Sequence, residues 1–256
     1  MTLQEYYKFP EGSNVTQTFI QHWLTDKPNY PCSQNMSYAF AYYKGSYIPP
    51  LDVSNTKDVN SMFYYCSNIV SLDLSNWDTS NFQFLNDFCS YCSSLVSIDL
   101  SSWNTSKVTN MNNMFYYCKK LAEIKGLDGL DTTNVTTMAG AFGELTSMTS
   151  LPALRADSLT IPSYSSPFGS SNNTTLVDWG GFINLKSSWI GSYCLDKLTA
   201  ISHQSLINIL NGLYDFTGNG ETPTSGQGQI KFGSAHLAKL SDDEKAIATS
   251  KGWTLS

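Results

Sequence analysis

Met62-Phe63-Tyr64-Tyr65-Cys66, followed by Leu72-Asp73-Leu74-Ser75-Asn76-Trp77-Asp78-Thr79-Ser80, is a sentence this chain writes more than once. It returns as Leu100-Ser101-Ser102-Trp103-Asn104-Thr105-Ser106 and then Met114-Phe115-Tyr116-Tyr117-Cys118. Cys66, Cys92 and Cys118 are evenly spaced, Trp77 and Trp103 keep the same step, and Leu130 takes the tryptophan's place one position late. A fixed period in the range of roughly 20–50 residues marks a stacked repeat architecture and outranks local propensity.

Working outward, Met36 and Phe40 open a shortened first repeat, and Leu51-Asp52-Val53-Ser54 anticipates Leu72-Asp73-Leu74-Ser75. Phe40, Phe63, Cys89, Phe115, Phe142 and Phe168 fall on one equivalent position. Leu95-Val96-Ser97-Ile98-Asp99-Leu100 alternates as a short strand with one buried face. Val108 to Phe115 spaces its apolar residues by three and four, which predicts a helical turn or two. A strand and a short helix in every repeat predict an α/β fold, a right-handed leucine-rich-repeat solenoid over 35–194. Its six coils, stacked at about 4.8 Å, would make a sheet roughly 30 Å wide. In that arrangement Cys66, Cys92, Cys118, Trp77, Trp103, Phe63 and Phe115 become interior ladders.

Residues 1–34 stand outside the repeat and read as an N-terminal cap or an attachment segment, since a terminal repeat leaves an apolar face to cover. Arg155 to Asn173 reads as a bulging loop, and Trp179 to Trp189 as a last irregular coil. From about residue 195 the pattern changes. Leu206, Ile209, Leu210 and Leu213 make an amphipathic helix within Leu198 to Phe216, N-capped by Ser202. A strand follows at Ile230 to Phe232, then a capping box at Ser241 to Glu244, a helix closed by Gly252, and a last strand at Trp253 to Leu255. This helix–strand–helix–strand unit, 195–256, reads as a C-terminal cap.

The bulk numbers exclude several classes. The 256 residues carry only 14% charged side chains and a net charge of −6, without the basic stripe nucleic-acid binding needs. No run approaches the ~18 apolar residues of a membrane helix, so membrane insertion is not expected. Met1 to Gly12 lacks the basic and apolar regions of a secretory leader, so the protein either travels by another route or has lost one. His22, His203 and His236 share no motif, and no nucleophile elbow, zinc-helix or paired-carboxylate pattern occurs. Gly218-x-Gly220 and Gly226-x-Gly228 follow no strand and make a poor phosphate loop. Cys89-x-x-Cys92 sits in the phenylalanine and cysteine ladders and reads as packing, not a redox or metal pair. The expectation is a non-enzyme with no cofactor.

Two ladders face outward. Asp52, Asp73 and Asp99, with Lys125 next in line, read as a solvated ladder, with Ca²⁺ as a weaker alternative for offsetting their repulsion. Tyr42, Tyr65, Tyr91 and Tyr117, flanked by Tyr64 and Tyr116, could stack on sugar rings or anchor a protein partner; the bland alternative is a packed rim.

The stretch from Leu100 to Leu121 closely resembles the BspA-like leucine-rich repeat of bacterial surface proteins and of phage and prophage proteins, over about residues 36–155. The blocks Trp-Asp/Asn-Thr-Ser and Met-Phe-x-x-Cys recur in the same order. Leu237 to Trp253 resembles the segment that often follows such repeats in phage tail proteins. The resemblance implies adhesion or receptor recognition, not catalysis. The expected setting is a virion, on a tail or fibre, touching a glycan or protein of the host surface. A bacterial cell-surface adhesin, or a structural component contacting only other virion proteins, are the alternatives.

Overall fold

A computed structural model describes residues 30–48, 50–160, 166–169, 175–188, 195, 198–225 and 227–256. The expected cap over 1–34 lies largely outside the described residues, as do 161–165 and 170–173 of the expected 155–173 loop and the end of the last coil at Trp189.

The repeat begins at an alternating strand. β1 (Tyr30–Pro31) is followed by β2 (Leu51–Asp52), β3 (Ser71–Asp73), β4 (Ser97–Asp99) and β5 (Glu123–Lys125), and β2 to β5 each bring one apolar side chain inward with polar neighbours outward. Pairing is parallel throughout: Leu72 lies beside Ile98 and Ile98 beside Ile124, each the equivalent position one repeat on. A second column of parallel bridges links Asn35, Asp58, Phe84, Asn110 and Thr137. Successive repeats therefore stack in register on two sides of the chain path.

The expectation of one broad sheet is corrected. Among the described residues the strands form small sheets, β1-β2, β3-β4-β5, and, after β6 (Ser150–Leu151), β7 (Leu154–Arg155), β8 (Asp178–Trp179) and β9 (Phe182–Ile183), the pairs β6-β8 and β7-β9. The breaks fall where repeat length changes. Along the bridge column, Asp58 to Phe84 and Phe84 to Asn110 are equal steps. The step from Asn35 to Asp58 falls three positions short of these, and that from Asn110 to Thr137 runs one over. With the bridge column kept in register, the missing or added positions must be absorbed on the strand side. After β5 they go into Gly126, at φ +75°, and a 3-10 turn at Leu127–Gly129.

The helical turns expected between Val108 and Phe115 are also absent, for a reason visible in the amides. Met114, Tyr116 and Cys118 donate three residues back, to Met111, Asn113 and Phe115. Asn113, Phe115 and Tyr117 between them donate to Ala139, Ala141 and Gly143 of the next repeat, at 2.8–3.0 Å. Half the donors a helix would use are committed to stacking. Left-handed residues at Asn113 (φ 53°) and Tyr117 (φ 63°) turn the alternate amides outward.

Inside, like residues pile up. Phe40 and Phe63 stack at 5.5 Å, Phe115 and Phe142 at 6.4 Å, and Phe142 meets Phe168 at 6.4 Å. The Trp77 and Trp103 rings lie 6.5 Å apart and 7° from parallel. Leu130 is too small to continue that column, and an apolar cavity of about 10 Å³ lies among Met114, Leu127, Leu130, Met138, Phe142 and Leu154. Cys66, Cys92 and Cys118 are free thiols buried to 0% exposure. Their Sγ–H groups donate at 3.0 Å to the carbonyls of Phe40, Phe63 and Cys89. Each of those oxygens also accepts the amide three residues on, so the thiol fills the second lone pair of a buried carbonyl. Tyr43 and Leu145, both buried, take the thiol's place in the flanking repeats.

The C-terminal part closes the far end. α1 (His203–Asn211) starts at Ser202, whose side chain accepts from the Ser205 amide, and is shorter than expected because Leu213 bridges to Leu185. β10 (Gln229–Ile230), an unexpected α2 (Ser234–Leu237), α3 (Asp242–Ser250) with its capping box, and β11 (Thr254–Leu255) follow. β10 pairs with β11 in parallel. Lys251 Nζ crosses to the end of α1 and donates to Leu210, Asn211 and Leu213 carbonyls at 3.3, 2.6 and 3.2 Å. It covers the acceptors a helix C-terminus leaves open.

Candidate functional site

The aspartate ladder is self-contained. Asp73 and Asp99 are register partners with Lys125 beside them. Each carboxylate turns to the serine two residues on: Ser54 Oγ donates to Asp52 at 2.7 Å, Ser75 to Asp73 at 2.6 Å and Ser101 to Asp99 at 2.5 Å, and each serine amide adds a second bond. These bonds hold the Asp73 and Asp99 carboxyls below the usual range. The offset for stacked charge is thus local, and among the described residues no group of three or more His, Cys, Asp or Glu could hold a metal. His203 pairs with Glu244 at 2.8 Å, while the buried His236 meets the Leu195 carbonyl at 2.9 Å. The Gly218 amide is taken by Asp215 at 2.7 Å, which removes it from any anion cradle. Cys89 and Cys92 are both fully buried; burial drives the Cys89 pKa upward, while hydrogen bonds from Cys118, Cys66 and Cys89 draw that of Cys92 down, and neither sulfur reaches solvent. A thiol without solvent access is not a nucleophile.

The tyrosines are brought together. Tyr42, Tyr65, Tyr91 and Tyr117 all sit in left-handed backbone, with φ between 59° and 63°. That region costs an L residue roughly 1–2 kcal/mol. Repetition explains it: the coil makes the same outward turn at each level, and Glu144 (φ 61°) continues the series. The rings stack on one another, Tyr42 on Tyr65 at 5.5 Å, Tyr65 on Tyr91 at 4.6 Å and Tyr91 on Tyr117 at 5.1 Å. Lys119 Nζ closes one end, 4.1 Å from the Tyr117 centroid. At the other end Tyr42 is 49% exposed.

For the evenly spaced column, sugar stacking, a protein anchor and a packed rim are the readings the sequence leaves open. Its interior faces are already covered by each other, leaving edges and hydroxyls to solvent. Tyr64 and Tyr116 differ. Tyr64 stands at 80° to Tyr42, 63° to Tyr65 and 74° to Tyr91, and Tyr116 at 75° to Tyr91. They lie along the side of the stack and complete a wall of six rings.

The wall has a foundation the ladder analysis missed. In the register of Tyr64 and Tyr116 stand Ala41, Ser90 and Gly143, so large and small residues alternate from one repeat to the next. A Cβ on Gly143 would meet Tyr116 Cδ2 at 2.8 Å, and one on Gly169 would come within 3.4 Å of Cε2. The small residues give the rings room. Ser90 is fully buried, and its Oγ makes no hydrogen bond of normal geometry. Asp87, half-buried, belongs to a second left-handed column with Tyr38, Ser61, Asn113 and Gly140. Aligning Ala41, Tyr64, Ser90, Tyr116 and Gly143 on the sequence would have exposed the alternation.

Comparison with known proteins finds a likeness over part of the chain and no role. Residues 34–152 match the model of a family described as Mycoplasma protein of unknown function, DUF285. That stretch holds the stacked columns from the bridge at Asn35 to the strand ending at Leu151, and the stacking continues beyond it in the pairs β6-β8 and β7-β9. No curated protein and no solved structure matches the chain.

Proposed function

We propose that this protein is a non-catalytic recognition module, a leucine-rich-repeat-type solenoid that presents its tyrosine wall to another surface. The observation that carries this reading is the wall itself: six tyrosines held side by side, four of them in left-handed backbone, on a scaffold whose outward Asp73 and Asp99 are satisfied by the serines two residues on. Backbone held in a costly region by its surroundings is a recurring property of functional sites. Tyrosine offers a rigid apolar body and a hydroxyl at low entropic cost, the combination enriched at recognition surfaces.

The resemblance to BspA-like repeats supports a setting at a bacterial surface or on a phage virion, where the module would contact the host. The test is whole-cell binding by the purified protein across candidate bacterial hosts, with Tyr65→Ala/Tyr117→Ala as the comparison. Binding by the parent and at least a tenfold loss in the double variant supports the reading. Undiminished binding by a folded double variant, or turnover of a cell-wall polymer by the purified parent, overturns it.

A further inference from the structure

The recognition reading leaves the ligand open, and the two rings beside the stack narrow it. The four column tyrosines have faces directed along the stacking axis, where each meets its neighbour. Tyr64 is turned 63–80° from the column rings it touches, so its face looks away from that axis, and Tyr116 is turned 75° from Tyr91 and 42° from Tyr117, so its face lies oblique to it. Both are half-buried, not enclosed. They stand two repeats apart, which at about 4.8 Å per level is roughly 10 Å.

On the intervening level, in the neighbouring left-handed column, sits the half-buried Asp87, and its charge acts on both Tyr64 and Tyr91. Burial holds its carboxyl above the ordinary range, while Asn113 and Ser90 offset part of that rise. Ser90 stands behind it, with a buried Oγ that no well-formed hydrogen bond satisfies. A buried hydroxyl left short of a partner costs about 1–3 kcal/mol and calls for an explanation. Asp87 is only half-buried, and a partly desolvated carboxylate here favours donors and opposes anions.

We propose that Tyr64 and Tyr116 are two tiles for alternate sugar rings of an extended, uncharged polysaccharide, with Asp87 on the level between them accepting from hydroxyls of the intervening sugar. The proposal rests on the recognition reading and sharpens it from a surface to a ligand class. Each tile presents a flat π-face of the kind on which the C–H face of a pyranose packs. The spacing demands a chain of at least three sugars to span both. Gly143 is part of the site because it lets Tyr116 lie flat, and Ser90 because its small side chain leaves the middle level open.

The test uses the full chain and defined oligosaccharides: β-1,4-linked glucose, mannose and N-acetylglucosamine oligomers of two to six units, with oligogalacturonate as the anionic control. Calorimetry or affinity electrophoresis reads the dissociation constants. The expected result is that at least one uncharged series binds, with a hexamer at least tenfold tighter than a dimer and the anionic series weaker. Tyr64→Ala and Tyr116→Ala should each lose about tenfold, and Tyr64→Phe, which keeps the face, should stay within about threefold. Gly143→Val, which displaces Tyr116 without changing it, should behave like Tyr116→Ala, and Asp87→Asn should weaken the uncharged series. Circular dichroism on each variant separates lost binding from lost folding. Failure of every uncharged series while whole cells still bind overturns the sugar assignment and leaves the recognition reading standing. Binding that prefers the anionic series, or that ignores both alanine variants, also overturns it.

Discussion

Replacing Tyr91 by glycine sets two effects of the wall against each other. Tyr91 touches four rings: Tyr65 at 4.6 Å, Tyr117 at 5.1 Å, Tyr116 at 5.5 Å and Tyr64 at 5.8 Å. At about 0.5–1 kcal/mol for each partly exposed pair, losing them costs about 2–4 kcal/mol. Against this, glycine removes the left-handed cost of roughly 1–2 kcal/mol at φ 63°. Its greater freedom in the unfolded chain cancels about half of that relief. The expected net loss is about 2 kcal/mol. With a urea slope of about 2 kcal/mol/M, the unfolding midpoint should fall by about 1 M. Tyr91→Phe keeps the rings and the backbone and should move the midpoint by less than about 0.3 M. A Tyr91→Gly midpoint equal to or above the parent's would refute the reasoning. The stack would then contribute less than the backbone it distorts, and the wall could not be what holds its own geometry.

Other expected outcomes follow from the same structure. Cys92→Ala removes the buried thiol from the Phe63 carbonyl and leaves a small void, for about 1–2 kcal/mol on urea unfolding. Burial raises the Cys32 thiol from about 9 to about 12. The folded chain thus holds protons the unfolded chain releases, so this stability is intact below about pH 9 and falls as pH rises towards 12. Urea midpoints that stay flat from pH 7 to 11 would contradict it. On the acid side, Ser101→Ala should raise the Asp99 pKa towards its ordinary value in an NMR titration, because Ser101 is what lowers it. The stability tied to depressed carboxyls such as Asp73 and Asp99 is present above about pH 4 and lost as pH falls below. Lys251→Met strips three carbonyls at the end of α1 of a cationic donor and should cost about 1–2 kcal/mol on thermal or urea unfolding.

The columns were legible because equivalent residues in a stacked chain meet their own kind. The constant step between Cys66, Cys92 and Cys118 predicted neighbours, and the thiols do follow one another up the repeats. The C-terminal caps were legible for a local reason, since Ser202 and Ser241 act through the first turn of their own helices. The helical turns at Val108–Phe115 were misread because a spacing of three and four describes a turn-rich coil as well as a helix. What decides between them is where alternate amides go, and that depends on the next repeat. The tyrosine period showed the ladder but not the ring planes. Orientation is set by side-chain size one level away, at Ser90 and Gly143.

The alternation of amides has one more consequence. Every level from Asp58 to Asn110 repeats the same pattern of donors and acceptors on its two faces, so the top of one level matches the bottom of any other. Unequal recombination that copies or drops one repeat-length segment between equivalent cysteines would join surfaces already matched to each other, lengthening or shortening the array by one rung. Reach along an elongated ligand could thus be adjusted in lineage time, one aromatic at a time, without inventing a new interior.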